Sequence, residues 1–132
     1  MFSLRRLPPE SDMADPRGAV AKLGEEAAVQ YLSRAGYAVV DRNYRCPAGE
    51  VDVVARVGRE LVFAEVRTRT GPAFGTPEDS ITPPKAAKMS ACALTYLAER
   101  GAGPTSWRVD FIAVDVRGGR VTQIRHLKNA LQ

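Results

Sequence analysis

The chain has 132 residues, 45% of them hydrophobic and 26% charged, which is typical of one soluble globular domain. No apolar run approaches the length that spans a bilayer, and this excludes proteins anchored by a membrane-spanning helix. Basic residues outnumber acidic ones by 19 to 15, and fifteen of the nineteen are Arg. The net charge of +4 favours a polyanionic partner such as nucleic acid, although many basic proteins bind none.

The cysteines and the first residues bear on the cellular compartment. Cys46 and Cys92 show no CxxC spacing, which favours a reduced, cytoplasmic protein over a disulfide-stabilised one. The first residues lack the apolar region of a secretory signal. We expect residues 1–16 to be a flexible extension and residues 17–132 to form a single domain with no membrane partner.

Hydrophobic periodicity predicts two helices and five strands. Apolar and small residues recur at helical spacing up to Gly36, and again between Thr82, a predicted N-cap, and Gly101, a predicted stop. The chain contains one βαβ crossover, so we expect an α/β fold in which a mixed sheet is flanked by helices. The predicted order is a helix over 17–35, strands over 37–40, 49–55 and 60–67, a helix over 83–100, and strands over 107–116 and 120–127.

The second and third strands form a predicted hairpin that carries two opposed acids. A type II′ turn centred on Gly58-Arg59 fixes the register. Counting outward places Asp52 opposite Glu65, and two residues further Glu50 lies opposite Arg67. Directly opposed residues have Cβ atoms roughly 4.5–5.5 Å apart, where like charges destabilise a sheet. We therefore expect a cation between Asp52 and Glu65, and Mg²⁺ prefers such oxygen ligands.

The first helix offers a third acid. Glu25 lies at the border of the apolar stripe and is the candidate to join the site, whereas Glu26 shares its side of the helix with polar residues. The alternative role for Glu25 is that of a first-turn acid that complements the helix dipole. Periodicity alone does not decide between these roles.

An ordered series of short motifs resembles a known family. The motifs are Gly24 to Leu32, Gly36-Tyr37, Arg42 to Arg45, Gly49 to Ala55, Phe63 to Arg69, Phe74-Gly75, Lys85, Ala93 to Leu97 and Arg108 to Phe111. In these motifs, over roughly residues 18–117, the chain is similar to the YraN-like family of predicted endonucleases, which resembles archaeal Holliday-junction resolvases within the PD-(D/E)xK nuclease superfamily.

The resemblance implies a restriction-endonuclease-like αβββαβ core. It implies that Asp52 and Glu65 are metal ligands and that Glu25 is the acid supplied by the helix. The superfamily pattern Glu-x-Lys is not matched, because Arg67 stands where the lysine is expected. Arginine stays protonated in proteins, so Arg67 can hold positive charge near a phosphate but cannot act as a general base.

Two lysines of the second helix are candidates for the missing ammonium group. Lys85 or Lys88 would supply it, and with Arg69 they would contact flanking phosphates. The simpler reading is that both lysines lie on the solvated side of an amphipathic helix.

The function expected from these residues is metal-assisted phosphodiester hydrolysis. Glu25, Asp52, Glu65 and Arg67 form the catalytic set, Mg²⁺ or Mn²⁺ is the cofactor, and DNA, including branched or junction DNA, is the substrate. The alternative is a non-catalytic nucleic-acid-binding module with a degenerate active site. A homodimer is implied only by the resemblance to junction resolvases.

Four other residues have open roles. Gly24 is expected to permit close packing of helix and sheet. Asp110 either completes the site from a neighbouring strand or pairs with an arginine. Tyr44 and Phe74, both predicted in loops, are candidates to stack on bases, and the alternative role of Phe74 is to close its loop onto the core.

Overall fold

A computed structural model describes residues 16–71, 81–101 and 106–130 of the chain. Residues 1–15 of the predicted extension lie outside the described residues, as does Phe74, and Pro16 already belongs to the first helix. The elements are α1 (Pro16–Arg34), β1 (Ala38–Cys46), β2 (Gly49–Val57), β3 (Glu60–Arg69), α2 (Pro83–Arg100), β4 (Ser106–Arg117) and β5 (Arg120–Leu127).

The five strands form one mixed sheet in the order β1-β2-β3-β4-β5. Strands β3 and β4 are parallel and the other neighbours are antiparallel, because α2 makes the one crossover. The protein is therefore an α/β fold with a restriction-endonuclease-like αβββαβ core, and the predicted fold class is confirmed. No helix in the described part of the chain is long and apolar enough to cross a membrane.

The sheet has a hydrophobic core associated with each helix. Strand residues pack with Ala28 and Leu32 of α1 in one cluster. Met89, Cys92 and Tyr96 of α2 pack with other strand residues in the second cluster. Because side chains alternate along a strand, a sheet buried on both faces needs the nearly continuous apolar runs seen in β2, β3 and β4.

Helix α2 begins and ends at the predicted residues. The Thr82 hydroxyl accepts a hydrogen bond from the Lys85 amide at 3.3 Å, and prolines occupy the first turn. Gly101 adopts the left-handed conformation, and its amide donates to the Leu97 carbonyl. These local rules fix where Lys85 lies in the first turn of α2.

Strand β1 is longer than predicted because its polar residues belong to an edge strand. The prediction ended at Val40, but pairing with β2 continues to Cys46. Tyr44 is therefore in a strand, where it is 7% exposed and its hydroxyl donates to a Glu99 carboxylate oxygen at 2.7 Å. Its ring packs edge-to-face on Tyr96 with centroids 5.0 Å apart. The prediction that Tyr44 is a loop residue available to stack on bases was wrong.

The hairpin register is confirmed for its inner part. The pairing of β2 with β3 runs from Val57–Glu60 to Val53–Ala64, as counted from the Gly58-Arg59 turn. It ends there, so the predicted ladder pairs Asp52–Glu65 and Glu50–Arg67 do not form. The physical reason lies in the Asp52 side chain, because its Oδ2 accepts a hydrogen bond from the Val66 amide at 2.7 Å. A side-chain oxygen thus enters the ladder at the point where the strands stop pairing.

Asp110 belongs to a buried polar network. It is fully buried and accepts hydrogen bonds from Arg108 at 2.9 Å and from the Asn129 amide, and His126 Nε2 lies 2.6 Å from it. Burial opposes ionisation, but the bonds from His126, Arg108 and the Asn129 amide outweigh it and lower the pKa of Asp110. Of the two roles left open for Asp110, pairing with an arginine is the one found.

Gly24 lies where α1 packs against Thr68 of β3. A Cβ atom built at Gly24 would be 1.8 Å from Thr68 Oγ1, far inside van der Waals contact. The absence of a side chain at this position therefore lets α1 pack against the strand that carries Glu65 and Arg67.

We predict that Gly24→Ala lowers the free energy of unfolding by about 1–3 kcal/mol, because overpacking outweighs the gain of about 1 kcal/mol in helix propensity. Urea denaturation measures the change. Thr68→Ala in the same chain should restore part of the loss, since it removes the nearest atom. Gly71→Ala is the control, because none of the described residues has an atom within 4 Å of a Cβ built there. An unchanged or increased stability of Gly24→Ala would contradict the prediction.

Candidate functional site

The candidate site lies where the pairing of β2 and β3 ends, and its centre is Asp52. The pKa of Asp52 is raised to about 6, mainly by burial and also by the charges of Glu25, Glu65 and Glu50, although the hydrogen bond from the Val66 amide acts in the opposite direction. Three carboxylates on α1, β2 and β3 therefore act electrostatically on one half-buried acid. Such an excess of negative charge disfavours ionisation unless a cation is near.

Glu65 already has two cationic neighbours. Lys85 Nζ lies 2.7 Å from Glu65 Oε2, and both side chains are largely buried, at 26% and 19% exposure. Arg67 Nη2 lies 3.9 Å from the same oxygen and is 46% exposed. Arg67 therefore has Glu65 as its ion-pair partner, rather than Glu50 as the hairpin register predicted.

Two open grooves flank these residues. Glu25, Val66, Arg67 and Thr68 line the first, between α1 and β3. Glu50, Glu65, Lys85 and Lys88 are among the residues that line the second, between the sheet and the start of α2. The acids therefore line grooves on two sides of the site, and each groove is also lined by basic side chains.

The donor set suits a hard cation. Carboxylate oxygens are the ligands of Mg²⁺ and Mn²⁺, and the raised pKa of Asp52 reflects burial together with neighbouring negative charge that such an ion would neutralise. Among residues 16–71, 81–101 and 106–130, no three His, Cys, Asp or Glu side chains converge as a metal-binding cluster. The residues thus match the ion in charge and ligand type but do not converge on one point, and Lys85 is the cation that Glu65 holds in this arrangement.

Other residues singled out in the sequence have different surroundings. Arg69 binds Asp115 at 3.1 Å, so its guanidinium is engaged within the protein. Lys88 lines the second groove. Glu26 is exposed and pairs with Arg42 at 3.2 Å, in keeping with its assignment outside the site.

Two features of the site were missed from the sequence. Glu50 contributes to the charge around Asp52, and the alternation of β2 offered a signal, since the two residues are two positions apart on one strand. No sequence pattern indicated the hydrogen bond between Asp52 and the Val66 amide, because this bond depends on where the pairing of β2 and β3 ends.

The raised pKa of Asp52 predicts a pH-dependent cost to stability. Because the folded-state pKa lies above that of the unfolded chain, the folded protein binds the proton more tightly, and ionisation opposes folding as the pH rises from about 4 through 6. Without divalent cations, Asp52→Asn should therefore raise the free energy of unfolding by about 1–3 kcal/mol at pH 7.5, and this gain should vanish near pH 4.

Urea unfolding in a chelating buffer at the two pH values measures this effect. Glu26→Gln is the matched control, since it removes an exposed charge outside the site. Loss of stability in Asp52→Asn at pH 7.5, or the same change at both pH values, would refute the electrostatic account of Asp52.

Comparison with known proteins identifies the family. The model of the uncharacterised protein family UPF0102 matches residues 24–114. A UPF0102 protein of Geotalea uraniireducens is 42% identical over 121 residues, which cover 92% of this chain and 94% of the relative. One from Moorella thermoacetica is 44% identical over 110 residues, covering 83% and 92%, and one from Pelotomaculum thermopropionicum is 43% identical over 119 residues, covering 89% and 99%. The resemblance to the YraN-like family is thereby confirmed, and the chain belongs to the UPF0102 family.

Proposed function

We propose that this protein is a metal-dependent endonuclease of the PD-(D/E)xK superfamily that hydrolyses phosphodiester bonds in DNA. The observation that carries the proposal is the Lys85–Glu65 ion pair beside Asp52, since it combines the acids of a metal site with an ammonium group from another element. Its position at the end of the β2–β3 pairing, in a restriction-endonuclease-like core, supports the same reading.

In this proposal Asp52 and Glu65 hold the ion, and Glu25 completes the site from α1. When bound, Mg²⁺ or Mn²⁺ would supply Lewis acidity at the phosphoryl group and favour ionisation of the attacking water. Asp52 must lose its proton to serve as a ligand, so its pKa of about 6 makes the site effective at neutral pH and weak in acid. Glu25, which lines the first groove, orients the attacking water from the helix side.

Lys85 fills the role of the signature lysine, which Arg67 cannot fill. Its ammonium lies against Glu65 at 2.7 Å, and release from that carboxylate would free it to stabilise the charge that develops on the phosphoryl oxygens. Arg67 is half-exposed in the first groove, between α1 and β3, and steadies the phosphate through its guanidinium. The Lys85 ammonium on α2 thus replaces the signature lysine that is missing from β3.

Basic residues around the grooves support nucleic acid as the partner. Lys88 contributes to contact with flanking phosphates, and the net charge of +4 favours such binding at low salt. Arg69 contributes less than its sequence position suggested, because Asp115 holds it. Branched or junction DNA is the proposed substrate class, by resemblance to junction resolvases, and two symmetric cuts in a junction would require a homodimer.

A non-catalytic nucleic-acid-binding module is the second candidate. The observation that favours it is that Lys85 and Arg67 already balance the charge of Glu65, so the folded chain holds this carboxylate without an ion. In that case Asp52, with a pKa of about 6, would be ionised at neutral pH without a metal partner, and the basic groove alone would act.

The two candidates predict different results in a cleavage assay at low salt with Mg²⁺ or Mn²⁺. We expect wild type to cut four-way junction, flap, single-stranded or duplex DNA, and Asp52→Asn and Glu65→Gln to lose at least about 100-fold in rate while retaining DNA binding. DNA binding without cutting by wild type would favour the binding module, and neither binding nor cutting would overturn both.

The lysines provide a matched pair for the role of Lys85. Lys85→Met should reduce cleavage by about 100-fold or more at saturating DNA, because it removes the ammonium beside Glu65. Lys88→Met, three residues further along α2, should change mainly the affinity for DNA and its salt dependence. Equal effects of the two substitutions on the rate at saturation would refute a special role for Lys85.

A further inference from the structure

The two cysteines of the chain meet behind the second groove. Cys46 ends β1 and Cys92 lies in the middle of α2, 46 positions apart in sequence, yet their Sγ atoms are 3.3 Å apart. Both are free thiols. A disulfide requires about 2.05 Å between the sulfurs, so an approach of roughly 1.2 Å, within reach of side-chain rotation, would join them.

The surroundings of the two sulfurs differ. Cys46 is partly exposed, and burial of its sulfur is outweighed by hydrogen bonds from the Cys92 thiol and from the Ala48 and Gly49 amides, which lower the pKa of Cys46. Cys92 is fully buried, and burial together with the interaction with Cys46 raises its pKa to about 12. The pair therefore contains one partly exposed cysteine with a lowered pKa and one buried thiol beside it.

We propose that Cys46 and Cys92 are a redox-modification site that forms a reversible intramolecular disulfide, with Cys46 as the sulfur that reacts first. With a peroxide as oxidant, the Cys46 thiolate attacks one peroxide oxygen, the O–O bond breaks, and sulfenic acid and hydroxide form. The Cys92 sulfur then attacks Cys46, the S–O bond breaks, and the Cys92 proton leaves with the hydroxyl group as water. In total two thiols and one hydrogen peroxide give one disulfide and two waters.

The bond would link the end of β1 to α2. Gly49, the first residue of β2, also lies against α2, since a Cβ built there would be 3.6 Å from Cys92 Sγ. Lys85 lies seven residues before Cys92, about two turns away on the same side of α2. Oxidation would therefore fix the helix that carries Lys85 against the strand pair that carries Asp52. The disulfide itself does not depend on the proposed nuclease activity.

The alternative is that the two thiols act only as small apolar groups in the core. To distinguish the redox site from this structural role, the full chain is reduced, freed of reductant and treated with a modest excess of hydrogen peroxide. We expect both thiols to disappear together, a mass loss of about 2 Da that dithiothreitol reverses, and one peptide pair joined through Cys46 and Cys92 after digestion. The oxidised chain should also unfold roughly 5–10 °C higher than the reduced chain, because the bond restricts the unfolded state.

Single substitutions test the order of reaction. Cys92→Ser should accumulate a sulfenic acid at Cys46 that dimedone traps, whereas Cys46→Ser should leave Cys92 unreacted on the same timescale. Persistence of both thiols in wild type, bonds only between chains, or faster reaction at Cys92 would overturn the proposal. Because every readout is covalent or thermal, failure of the nuclease assay leaves this test unaffected.

Discussion

The hydrogen bond from the Val66 amide to the Asp52 carboxylate is the contact around which the site is built. At 2.7 Å it brings a side-chain oxygen into the hairpin where the β2–β3 ladder stops. Separation of the strands beyond Val53–Ala64 leaves a half-buried acid at the sheet end, with other carboxylates near it. An acid in that setting is costly when ionised, as the pKa of about 6 indicates. Cores seldom retain such a cost without a functional reason.

The charge of this cluster is balanced from the second helix. Helix α2 starts at a fixed residue, because Thr82 caps it and prolines fill its first turn. That start places Lys85 one turn in, with its ammonium on Glu65. A surface ion pair contributes little to stability, but this pair is largely buried, so its position is well defined. The same helix carries Cys92, so the proposed disulfide would act on the element that positions Lys85.

Local rules made much of the fold predictable. The Gly58-Arg59 turn gave the inner hairpin register, and the Thr82 and Gly101 caps gave the limits of α2. Non-local contacts were not predictable in the same way. The end of the ladder at Asp52, the pairing of Lys85 with Glu65 and the approach of the cysteines all depend on how distant elements pack. Composition also misled at Tyr44, because a polar edge strand resembles a loop when only its sequence is considered.

Direct measurement of Mn²⁺ binding tests the central claim, which is that the acids around Asp52 form a cation site that Lys85 partly neutralises. Calorimetric titration of the wild type at pH 7.5 should show one ion per chain, with affinity that falls as the pH drops through 6. Binding should be lost in Asp52→Asn and strengthened in Lys85→Met, since the ammonium competes with the metal for Glu65. Absence of binding in the wild type, or undiminished binding in Asp52→Asn, would contradict the account.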